Sequence, residues 1–142
     1  MKPVDEVLGA VGFSVMSVRP GDTSVAMGVS DLPVVATSHI LHIIESAAVA
    51  ALEEFLDNGE TTYLLSSNIE LSGTAQVGDE LRATARCAAI EQLTINSREL
   101  TFECEVYCNE RLIATSTIKR ATVERVSFLA RAAAEDLLAE NL

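Results

Sequence analysis

Tryptophan is absent from the 142 residues, and aromatic residues make up only 4%. With so few aromatics, a core here must be largely aliphatic. Positive charge is scarce: 10 Lys+Arg stand against 21 Asp+Glu, a formal net charge of -11. Such a chain is repelled by polyanions, which argues against DNA, RNA and anionic membrane surfaces as partners. No apolar run reaches the roughly 18 residues of a membrane span. No signal-like apolar core follows the first residues, Met1 to Glu6. The three cysteines, Cys87, Cys104 and Cys108, are an odd number without metal-like spacing, so we expect reduced thiols in a cytoplasmic protein with no metal and no cofactor. No Gly-rich phosphate loop, Ser nucleophile elbow or CxxC motif is present.

What is there reads as one globular domain over residues 1–142: 49% hydrophobic, 22% charged, and long enough to bury a core without staples. Phe13 to Val29 alternates and breaks at Pro20-Gly21-Asp22, which predicts two short strands or one interrupted strand. From about 38 to 57 the period becomes helical. Ile40, Leu41, Ile44, Ala47, Ala48, Ala51, Leu52 and Phe55 share a face, Thr37 or Ser38 is placed to cap the start, and Asn58-Gly59 to stop the end. Four strand-like segments follow: 61–71, 79–90, 100–108 and 112–123, with turns at 73–79 and 91–97 and a two-residue break at Asn109-Glu110. An Ala- and Leu-rich helix is expected at about 126–140.

A helix this apolar must be covered on most sides, and one antiparallel sheet wrapped around it does so. The expected architecture is α+β: a hotdog fold, with a short C-terminal helix added. The exposed flank of the helix and an edge strand then call for a second copy, so a homodimer is expected, with tetramers left open.

The segment from Ser30 onward resembles the fluoroacetyl-CoA thioesterase group of hotdog proteins. The resemblance rests on Asp31 to Thr37, Glu45 to Val49, Glu60 to Tyr63, Leu100 to Val106, Val77-Gly78, and Thr117 with Arg120 on the last strand. Its spacing holds over roughly residues 11 to 131. It implies hydrolysis of a small acyl thioester at a site between two subunits, carried by a Thr, a Glu and a His. Thr37 and Glu45 keep the family's eight-residue separation. The family His falls on Leu71, the Gly that faces the acyl group on Leu64, and the His of the last-strand motif on Ile118.

Glu45 lies at the edge of the apolar face, where a carboxylate sheds hydration and suits a general base or a nucleophile. On position alone it reads as an edge residue in a salt bridge; the family spacing shifts the reading to catalysis. Thr37 is a natural helix cap, and its hydroxyl is also placed to bind a carbonyl or water beside helix N-terminal amides. His39 and His42 are the only histidines. His42 is within reach of Glu45 one turn on, but points to the polar side of the helix. Val35, Ser38, His42, Leu64, Leu71 and Arg120 form the expected substrate-binding set. Arg82 and Arg86 are expected in surface ion pairs, whereas Lys119 and Arg120 are candidates for a pantetheine or nucleotide contact. The expected function is therefore a thioesterase acting on acyl-CoA or an acyl carrier, with Glu45 and Thr37 catalytic. The alternative is a non-catalytic hotdog module that holds an acyl thioester or apolar ligand, because Leu71 replaces the His. A dehydratase is the weakest reading, because no His sits where an enoyl thioester would need one.

Overall fold

The computed structural model describes residues 1–140; the last two residues of the expected domain lie outside the described residues. A short helix α1 (Val4–Val7) leads into β1 (Val11–Ser17). The second half of the expected early strand is instead a 3-10 turn at Pro20–Asp22 and a helical turn α2 (Ser24–Met27). The reason is local: the Thr23 hydroxyl accepts from the Ala26 amide as an N-cap, and Gly28 closes the turn with a left-handed φ of 72°. Then come α3 (Thr37–Leu52), β2 (Glu60–Leu71), β3 (Glu80–Thr94), β4 (Ser97–Cys108), β5 (Arg111–Glu124) and α4 (Arg125–Glu140).

The strands form one antiparallel sheet in the order β1-β3-β4-β5-β2. With α3 against its inner face, this is the hotdog layout expected from the sequence. β3 and β4 run further than expected, so their turn shrinks to Ile95 and Asn96. Asn109 takes a φ of 55° in the tight β4–β5 turn, a conformation Asn tolerates better than most residues.

Helix α3 corrects two expectations. Its N-cap is Ala36, which offers no side-chain acceptor, so neither Thr37 nor Ser38 caps it; both lie inside the first turn. The helix also ends at Leu52 and not near 57: the Phe55 amide bonds back to Leu52, and Gly59, with a φ of 80°, serves the turn into β2.

The inner face is as aliphatic as the composition requires. Ile40, Ile43, Ile44 and Leu52 from α3 meet Leu81, Leu100, Phe102, Val106 and Ile118 from the sheet, all fully buried. Small side chains set the spacing. Ala47, Ala48 and Ala51 of the helix and Ala83 and Ala85 of β3 all belong to the buried core. At Gly12 of β1 the strand passes so close to the helix that a Cβ would lie 2.0 Å from the Ala47 carbonyl oxygen. No side chain fits there.

Candidate functional site

Helix α3 has two flanks outside the core. One faces β5 and β2, the other faces β1. The register of β4 with β5 explains the first flank. Leu100, Phe102 and Cys104 are inward, so their partners Arg120, Ile118 and Ser116 are inward too. Arg120 is thus a cation on the core face of a central strand, and only 6% exposed.

Burying a guanidinium without partners would be costly, so every arm of it should be engaged. Its Nε donates to the Thr62 hydroxyl at 2.9 Å and one terminal nitrogen donates to the Thr62 carbonyl at 3.1 Å. Its other terminal nitrogen donates to Glu45 Oε1 at 2.7 Å. Thr62 on β2 therefore fixes Arg120, and Arg120 fixes Glu45. The Glu45 side chain remains 34% exposed, with one carboxylate oxygen in the ion pair. Glu45 thus forms the salt bridge expected of an edge residue, and part of its carboxylate stays exposed. Beside it, His42, Ser46, Val49 and Ala50 line an open depression along the flank.

Thr62 is the residue the sequence reading missed. Its signal was an inward-facing polar residue on β2, beside an arginine on the neighbouring strand. The basic patch expected from Lys119 and Arg120 is corrected as well. Adjacent strand residues face opposite sides, so Lys119 points outward and pairs with Glu99 at 3.4 Å while Arg120 points in. Arg86 makes the surface pair foreseen for it, with Glu103 at 2.5 Å; Arg82 makes no ion pair among the described residues.

The other expected site residues scatter around this centre. Thr37 and Ser38 are exposed in the first turn of α3, whose earliest N–H groups have no intrahelical acceptor. Eight residues separate Thr37 from Glu45, about 12 Å of helix rise, so the two do not meet within one chain. Val35 is 5% exposed and packed into the core, with its amide bonded to the Ala75 carbonyl. Leu64 and Leu71 are on the inward side of β2, opposite Arg120 and Ala114. Leu64 packs partly against the core, whereas Leu71 is 51% exposed. No histidine lies within hydrogen-bond distance of Glu45 among the described residues.

On the flank toward β1, His39 and His42 line a second cavity with Met16, Arg19 and Asp22. His39 Nε2 is buried without a hydrogen-bond partner and stands 3.8 Å from the Asp22 carboxylate. The three cysteines are buried and unpaired. Burial pushes the Cys87 thiol up to about 11 and the Cys104 thiol up to about 12, which leaves them protonated and inert at neutral pH. Among the described residues no group of His, Cys, Asp or Glu has a metal-site arrangement, and no helix is long and apolar enough to cross a membrane.

One helix held in a five-stranded antiparallel sheet defines the hotdog class, and solved members of that class superpose on this chain. A thioesterase superfamily member from Thermus thermophilus (hypothetical protein TTHA0967) aligns over 98% of this chain and 99% of its own, at 22% identity and a TM-score of 0.79. A hot-dog-like protein from Thermanaerovibrio acidaminovorans aligns over 92% and 95%, at 20% identity and a TM-score of 0.76. A variant of the fluoroacetyl-CoA thioesterase FlK in complex with acetyl-CoA aligns over 90% and 97%, at 19% identity and a TM-score of 0.80. No curated protein matches the chain. The sequence pattern of the fluoroacetyl-CoA-specific thioesterases matches residues 18–126, and the chain belongs to that family.

Proposed function

We propose that the protein hydrolyses an acyl thioester, carried on CoA or on an acyl carrier, with Glu45 as the reacting carboxylate. The observation that carries this reading is the chain Thr62–Arg120–Glu45. A buried, fully bonded arginine holds one oxygen of a carboxylate whose other face looks into an open depression. Pre-positioned charge of this kind is what a general base or nucleophile needs. As a base, Glu45 takes a proton from water, the hydroxide adds to the thioester carbonyl, and the C–S bond breaks as the departing thiolate is protonated. As a nucleophile it adds to that carbonyl directly and expels the thiolate, which is protonated as it leaves; water then hydrolyses the mixed anhydride to the free acid and restores Glu45.

Thr37 and the uncapped amides of the first helical turn are the proposed carbonyl-binding group. Ala36 at the N-cap supports this, because a Ser or Asp there would occupy an amide. Since about 12 Å of helix separates Thr37 from Glu45, one carbonyl is reached by both only if two copies contribute. A homodimer therefore belongs to the proposal, and the free edge of β2 is the place for the second copy. Ser38, His42, Leu64 and Leu71 are proposed to line the acyl and pantetheine path. Arg120, buried and occupied, serves by positioning Glu45. Buried reduced thiols fit a reducing compartment, and the cytoplasm is the proposed setting.

The second reading is a module that binds a thioester without turning it over. Leu71 favours it: an exposed leucine stands where the family carries histidine. Release of free thiol from a short-to-long and aromatic acyl-CoA panel separates the two readings. We expect turnover by the wild type, a loss of about 10²-fold or more in Glu45→Gln, which keeps the shape of the side chain, and a gain in Leu71→His. Absence of turnover in all three, with bound acyl-CoA detected, overturns hydrolysis and leaves the binding module.

A further inference from the structure

The depression beside Glu45 changes character along the helix. Its lining runs His42, Glu45, Ser46, Val49, Ala50 and then Glu53. His42 stands one turn before Glu45, about 4.5 Å along the axis, and Val49 one turn after it, about 6 Å along. His42, Val49 and Ala50 are all exposed. Arg120 holds Glu45 Oε1 at 2.7 Å, which leaves the other carboxylate oxygen to react. A thioester whose carbonyl meets that oxygen has two unlike sides to choose between. Its acyl group suits Val49 and Ala50, because contact there removes apolar surface from water. That choice turns its sulfur toward His42.

Breaking the C–S bond leaves a thiolate, and a proton must reach it. The lining offers few sources. Arginine stays protonated at every working pH, an ionised carboxylate has no proton to give, and a serine hydroxyl is a very weak acid. Glu45 is engaged at the carbonyl or at its water. An imidazole both gives and takes protons near neutrality. The chain has two histidines, His39 and His42. His39 lies on the flank toward β1, with its Nε2 buried beside Asp22. His42 is the histidine that lines the depression.

We propose that His42 is the general acid that protonates the departing thiolate, with the acyl group laid along Val49 and Ala50. The assignment rests on the hydrolysis proposed above and supplies the proton donor that it requires. In the base route, Glu45 takes a proton from water and the hydroxide adds to the carbonyl. The C–S bond then breaks, the sulfur takes the imidazolium proton of His42, and the free acid and thiol leave. The proton held by Glu45 passes to His42, and both groups return to their starting state. In the nucleophile route, the same imidazolium protonates the thiolate as the anhydride forms. The neutral His42 then takes a proton from the water that opens the anhydride, and the imidazolium is restored.

The test is the dependence on the leaving group, measured on the full chain. Thiol release is followed from the acyl-CoA cleaved fastest and from the S-phenyl thioester of the same acyl group. A phenyl thiolate is a much weaker base than an alkyl thiolate and leaves without a proton. We expect His42→Gln to lower kcat on the acyl-CoA by about 10²-fold, the smaller end of general-acid effects, and to leave the phenyl thioester within about twofold of wild type. His39→Gln should leave both rates within about twofold. With wild type, kcat on the acyl-CoA should fall as pH rises and the imidazolium is lost, and that limb should be missing in His42→Gln. Wild-type rates on the acyl-CoA in His42→Gln, or equal losses on the two thioesters, would overturn the role of His42 and leave hydrolysis by Glu45 standing. Absence of thiol release by the wild type from either thioester would overturn hydrolysis, and this step with it.

Discussion

The two halves of the sheet follow the same inward–outward alternation and end in opposite conditions. On β3 the inward residues Leu81, Ala83, Ala85 and Cys87 are completely buried under α3. On β2 the corresponding inward residues run from the half-buried Leu64 to Leu71 at 51% exposure. The closed half is apolar throughout, whereas the open half carries Ser116, Arg120 and Thr122 as buried polar groups. A single helix covers about three strands of five. The buried polar groups sit on the side it covers least, and that asymmetry separates the part that holds the fold from the part where the proposed site lies.

The comparison breaks most severely at Gly12. Gly12→Ala forces β1 away from α3 and should cost at least the 1–3 kcal/mol typical of core overpacking, read as a shift in the urea midpoint. A midpoint within experimental error of wild type would mean that helix and strand are not in close contact. On the open half, Glu45→Ala leaves a buried guanidinium with only Thr62 as partner. The expected cost is about 1–3 kcal/mol, and Glu45→Gln, which can still accept from Arg120, should lose less. Equal losses would show that the ion pair adds nothing to the hydrogen bond. The smallest effect comes from the thiols of the closed half. Burial raises their folded-state values above the ordinary 8.5 or so of a free thiol. Their contribution to stability is therefore complete below about pH 8.5 and is lost as pH rises toward 11 and 12. Unfolding midpoints should fall over that window, and should do so less in Cys87→Ala than in wild type. Ellman's reagent should find no reactive thiol at pH 8 until denaturant is added.

The closed half was legible in the sequence because burial there follows a simple period. Alternation in β3 and β4 and the 3.6-residue repeat of α3 are both direct consequences of one apolar face. The strand ends and the first cap were not legible. Thr37 and Ser38 are better caps than Ala36, and the actual start of the helix goes against that propensity. The segment Thr23 to Gly28 alternated like a strand, and only the Thr23 hydroxyl bond reveals the helical turn. At the candidate site, Glu45 stood out by its place on the helix. Arg120 was visible as a residue but not as a buried one, because neither the β4–β5 register nor its separation from Lys119 can be read from composition. Thr62 was hidden for the same reason: it acts through a neighbour 58 residues away.

The strand order also sets a schedule. β3, β4 and β5 are joined by tight hairpins and pair with their sequence neighbours, whereas β1 and β2 attach to opposite edges across long stretches of chain. Loop closure is cheapest for the central meander, so it should form early, and the outer strands should dock late. The Thr62–Arg120–Glu45 linkage joins a late strand to an early one and ties both to the helix. Pulsed hydrogen exchange during refolding should protect amides of β4 before those of β2; simultaneous protection would rule out this order. The proposed site would then be among the last features the chain acquires, and an incompletely folded molecule would carry a correct meander without it.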